Sequence, residues 1–195
     1  MVEASPRGSE RGTGPRGYSR RALLKATAGL ALVMAGAAAA ALRTRGYVVP
    51  AGRALVALSP WEFVVVQHAA RRIAAPDRTG DASIPEADDL DVAGFVDAWI
   101  GRMNRPLRRD LGRFLAYLEH VAPITVGLTS RFTRLAPAEQ QKVLASVEAS
   151  SHELLRAGFD GLKSLVFIGY YRDARTWGIL GYDGPLVGRP PAGWR

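Results

Sequence analysis

The sequence predicts an all-α protein: a small bundle of about four to six helices, followed from about residue 172 by an irregular arm rich in aromatic residues and glycine. Three observations carry that expectation. Helix starts stand at Ser59, Pro60 and Glu62 and again at Pro137 and Glu139, where a first-turn proline is in register with an acid placed to cap the helix. Apolar residues then recur at spacings of three and four rather than two. Neither a convincing strand pair nor an internal repeat is visible along the 195 residues.

Residues 1–42 stand apart. Residues 1–18 are Gly, Arg, Ser and Pro with almost nothing that could pack, a composition expected to be disordered. Next come Ser19, Arg20, Arg21, Ala22, Leu23, Leu24 and Lys25, and behind them an apolar run of small residues ending near Leu42. A positive region, an apolar stretch and a small-residue end make the layout of a signal peptide, and the pair Arg20 and Arg21 resembles the twin-arginine export signal. At about 17 residues, roughly 25 Å as a helix, the run is short for a bilayer core of about 30 Å. The expectation is an exported chain, periplasmic or on the outer face of the cytoplasmic membrane, with a single helical domain over residues 43–195.

Within that domain the first helix opens at Ser59, shows Phe63, Val66, Ala70 and Ile73 on one face, and is expected to end at Pro76. A polar loop over residues 77–91 leads to a helix marked by Val92, Phe95, Val96, Trp99 and Ile100. A third helix carries Leu107, Leu111, Phe114, Leu115 and Leu118 on one side and arginines on the other. After a break at residues 123–130, the pattern restarts at Pro137 and runs to about Tyr171, with Gly158 and Gly161 either dividing it or allowing close helix contact.

The chemistry is sparse. Cysteine is absent, which removes thiolate metal sites, iron–sulfur ligation, c-type haem attachment and disulfides together. His68, His120 and His152 fall on separate helices without a partner at ligand spacing. The acids Glu86, Asp88, Asp89 and Asp91 lack the order of a calcium loop and suit a helix start instead. Neither a phosphate-binding glycine loop nor a nucleophile elbow occurs. The formal charge is +8, but half of it sits in the first 42 residues and the rest is dispersed, so nucleic acid is not an expected partner. What remains is the density of aromatics near the C-terminus. Tyr170, Tyr171, Trp177 and Tyr182, interleaved with glycines, suit either a lid over the chain's own core or a surface that docks on another protein.

The order of these pieces resembles the gluconate 2-dehydrogenase subunit 3 family: LSPWE, DVAGFVDAWI and LAPAEQQKVL, then Gly169 to Tyr171 followed by Leu180 to Pro185. That resemblance implies a non-catalytic small subunit of a flavoprotein dehydrogenase acting on sugars, sugar acids or polyols. The FAD would sit in a large subunit of the glucose-methanol-choline type, a cytochrome c subunit would commonly take the electrons, and this chain would carry no cofactor. It would bind the large subunit and escort it through the twin-arginine machinery. The alternative is a stand-alone exported helical enzyme or binding protein whose site is assembled from residues distant in sequence.

Overall fold

The computed structural model describes residues 46–75 and 84–184. The leader with Arg20 and Arg21, Pro76 and residues 77–83 of the polar loop lie outside the described residues. Six α-helices follow in order: α1 Pro60–Ile73, α2 Val92–Gly101, α3 Arg105–His120, the single turn α4 Ala122–Thr125, α5 Pro137–Glu148 and α6 Glu153–Tyr171. Short 3-10 segments occupy Phe132–Arg134 and Ala174–Leu180, and no strand occurs among the described residues.

The sequence signals act where they were read. Glu62 accepts the Ser59 backbone N–H at 2.8 Å, closing the start of α1 behind Pro60. Glu139 does the same for Ala136 at 3.0 Å, although alanine supplies no acceptor in return. Helix α3, which has no acid in its first turn, is capped by Asn104, whose Oδ1 accepts from Leu107 N at 3.0 Å.

Helix α1 is more central than one apolar face implies. Val64, Val65 and Ala69 are buried along with Phe63, Val66 and Ala70, because α2, α3, α5 and α6 all pack around it. One expectation for the longer pattern is corrected, and the alternatives left open for its glycines are resolved. The break falls at residues 149–152, between α5 and α6, and the glycines divide nothing: Gly158 lies under the Phe114 ring, where a Cβ would come within 2.5 Å, and Gly169 sits against Phe95 in the same way. The arm beyond Tyr171 is also less irregular than its composition suggests. Buried Thr176 donates to Asp173 O at 2.8 Å, Asp173 caps the turn through Arg175 N, and the segment winds into its 3-10 helix.

Ahead of α1, residues 46–58 form an irregular strap, with a turn at 51–52, held down by two buried carboxylates. Asp97 of α2 accepts the backbone N–H groups of Val56, Ala57 and Leu58 at 2.7, 2.9 and 2.7 Å. Glu119 of α3, wholly buried, accepts the Tyr47 hydroxyl at 2.7 Å and both the N–H and hydroxyl of Thr133, with the Arg131 guanidinium 3.6 Å away. Arg131 also lies 4.2 Å over the Tyr47 ring. Burial, reinforced by the bond to Glu119, pushes the Tyr47 hydroxyl well above the usual tyrosine range.

Candidate functional site

The last turn of α6 and the 3-10 segment after it bring the four singled-out aromatics to one corner, but in different roles. Tyr170 is buried, and its hydroxyl donates to Pro85 O at 2.9 Å, tying α6 to the chain ahead of α2. It therefore presents no surface to a partner. Tyr171 is half-buried, edge-on to Tyr170 at 5.2 Å and tilted against Phe167 at 5.8 Å. Trp177 folds back so that its indole N–H donates to Tyr171 O at 2.9 Å, and Tyr182 packs edge-to-face on it at 5.2 Å.

The reversal behind this pair needs glycine. Gly181 and Gly184 have φ of 61° and 102°, and a Cβ on Gly184 would press on the indole at 3.0 Å. Tyr182 stays 45% exposed, and Leu180 at 59% and Ile168 at 47% stand open on the same stretch of chain. Of the sequence candidates, Tyr182 offers the most surface, Trp177 and Tyr171 support it, and Tyr170 belongs to the core. Ile168 and Leu180 escaped the sequence reading. Ile168 falls off the stripe formed by Phe159, Leu162, Val166 and Tyr170, which is the signal that could have exposed it.

The charge at this corner is pinned. Arg175 forms a fork with Asp173, Nε and one terminal nitrogen each 2.9 Å from a carboxylate oxygen. That fork, helped by the Arg175 backbone N–H, holds the Asp173 carboxyl down to about 2. The corner offers apolar and aromatic area with a fixed rim, which is chemistry for binding rather than for breaking bonds.

A cleft of about 190 Å³ lies elsewhere, between the strap, α1 and the start of α2, lined by Arg53, Phe63, Gln67, Asp88 and Asp91. Its charged groups satisfy one another: Arg53 pairs with Asp91 at 2.7 Å, and Asp88 with Arg71 at 2.7 Å. Among the described residues no group of three or more His, Cys, Asp or Glu converges as a metal site would require. His68 faces Gln140, whose amide nitrogen lies 2.9 Å from its Nδ1 and 3.1 Å from Phe132 O. The carbonyl can only accept, so the amide nitrogen donates on both sides and Nδ1 must be unprotonated. Burial first, and the nearby Arg71 charge second, hold the His68 pKa below the ordinary value.

The family model described as Gluconate 2-dehydrogenase subunit 3 matches residues 60–184, from the first residue of α1 to the glycine under Trp177. No curated protein and no solved structure matches the chain.

Proposed function

Because the chain belongs to the Gluconate 2-dehydrogenase subunit 3 family, we propose that it is the non-catalytic small subunit of a flavoprotein dehydrogenase, bound to a large subunit that carries the FAD. The family's description makes it one subunit of a multi-subunit dehydrogenase. The observation that carries the docking role is the open apolar surface of Leu180 and Tyr182, two residues apart just after α6 and inside the matched span. Aromatic and aliphatic anchors beside a rigid turn are what interface hot spots are made from.

Export belongs to the same proposal. Arg20 and Arg21 ahead of an apolar run supply a twin-arginine address, a route that carries folded proteins, so a large subunit bound before export could travel with this chain to the periplasmic side and there meet its cytochrome c electron acceptor. Co-expression of a tagged chain with the FAD-carrying subunit tests both parts. The expected result is co-purification of the pair, with flavin absorbance in the complex, and accumulation of both subunits in the cytoplasm when Arg20→Lys and Arg21→Lys are combined. Lysine keeps the charge but not the planar guanidinium that a receptor would read. Failure of the pair to co-purify would overturn the subunit assignment, and normal export of the double variant would overturn the address.

A further inference from the structure

A second surface lies where α2 turns into α3. In the fifteen residues from Trp99 to Arg113 there are five arginines and one acid, Asp110. Two of the arginines are engaged: Arg108 donates to Gly101 O at 3.0 Å and holds the corner, and Arg113 pairs with Asp110 at 3.1 Å. The side chains of Arg102, Arg105 and Arg109 are exposed and make no hydrogen bond or ion pair with any described residue. Arg105 and Arg109 lie one helical turn apart on the solvent face of α3, with Arg102 at the end of α2 just before them.

Stability does not account for this placement. The N-terminus of a helix favours acids, yet the first turn of α3 contains none and opens on Arg105. Asn104 caps the first turn, but no acid offsets the charge of Arg105 there, and a local rule broken in this way points to use by something outside the fold. One large apolar side chain stands open beside them: Trp99, three residues before Arg102 at the end of α2, is 38% exposed.

We infer that this corner rests on the surface of an anionic lipid bilayer, with the three free arginines at the headgroups and Trp99 reaching the interface. Charge complementarity chooses the occupant. The arginines are unbraced by acids, so they suit a fluid layer of phosphates better than a fixed protein epitope, and tryptophan is enriched at the bilayer interface. No helix of the described residues is long and apolar enough to cross a membrane, so the contact lies on the surface.

The test is sedimentation of the full chain with vesicles of phosphatidylcholine and phosphatidylglycerol, set beside vesicles of phosphatidylcholine alone. Each arginine near an anionic surface contributes about fivefold in affinity, so the combined Arg102→Gln, Arg105→Gln and Arg109→Gln variant is expected to bind the mixed vesicles on the order of 100-fold more weakly. Parent and variant carry the same leader, so the difference between them reads the corner. A variant of equal net charge, with Arg134, Lys142 and Lys163 each changed to Gln, is expected to bind as the parent does. Unchanged binding by the corner variant, or an equal loss in the control, would overturn the inference. So would a corner variant that keeps its lipid binding but no longer co-purifies with the FAD-carrying subunit, since the occupant would then be an acidic protein surface.

Discussion

Replacing Gly161 of α6 by alanine should stabilise the protein, and the same change three residues earlier should not. A Cβ on Gly161 meets nothing within 4 Å, so the substitution acts through helix propensity alone, worth about 1 kcal/mol. Gly158→Ala receives the same gain, but its methyl would lie 2.5 Å from the Phe114 ring, and that ring is buried in the core. Forcing a methyl into packed surroundings costs about 1 to 3 kcal/mol, leaving the variant between parental stability and a loss of about 2 kcal/mol. Because the propensity gain is common to both, the difference between the two variants isolates the packing of α3 on α6. With a urea dependence of about 2 kcal/mol per molar, that difference is roughly 0.5 to 1.5 M in the unfolding midpoint. Gly169→Ala should fall nearer Gly158→Ala, since its methyl would meet half-buried Phe95 at 2.7 Å and fully buried Val92 at 3.2 Å. Urea unfolding followed by far-ultraviolet circular dichroism measures all three. Equal midpoints for Gly158→Ala and Gly161→Ala would refute the close approach of the two helices.

Tyr182→Ala should weaken binding to the FAD-carrying subunit by about 1 to 4 kcal/mol while leaving the free chain's melting temperature nearly unchanged, whereas Trp177→Ala should lower both; calorimetric titration and thermal melts of the free variants separate the two. Asp97→Ala strands three backbone donors, one of them fully buried, and should cost about 3 to 5 kcal/mol with faster amide exchange at Val56, Ala57 and Leu58; unchanged exchange there would mean the strap is held by something else. For His68 the folded pKa is depressed, so the unfolded chain takes up its proton first. Stability is then fully present above the ordinary histidine pKa of about 6.5 and declines as pH falls below it. Urea midpoints at about pH 7.5 and about pH 5.5 should diverge more for the parent than for His68→Gln, and an equal divergence would show that other groups carry the dependence.

Local rules were legible in the sequence wherever the residues that act lie close together in the chain. The capping acids Glu62 and Glu139 sit three residues from the N–H groups they satisfy, so the starts of α1 and α5 could be read directly. The division between α5 and α6 could not. A glycine inside a helix is only mildly unfavourable and can be repaid by close packing, as Gly158 is by Phe114, while the actual break lies in a serine pair whose Ser150 Oγ accepts the His152 N–H at 3.2 Å. Periodicity shows which residues share a face but not how many faces are covered, so the depth of Val64 and Val65 and the openness of Trp99 were both hidden. Asp97 and Glu119 act across dozens of residues. The one visible hint was an acid set in the otherwise apolar run of α2. At the corner after α6, composition identified the aromatic cluster, but without a period nothing separated buried Tyr170 from open Tyr182.

The two carboxylates beneath the strap also impose an order of events on a chain made from its N-terminus. Leu58 leaves the ribosome 39 residues ahead of Asp97, and Tyr47 leaves it 72 residues ahead of Glu119. At roughly 5 to 20 residues per second, Tyr47 waits about 4 to 14 s for its acceptor to be synthesised. The strap is therefore among the earliest described parts to be translated, yet it can be seated only after α2 and α3 have been made. Throughout that interval the residues preceding Gly46 are joined to a Tyr47 whose acceptor does not yet exist, so a factor that reads the chain's beginning could engage it well before the bundle closes.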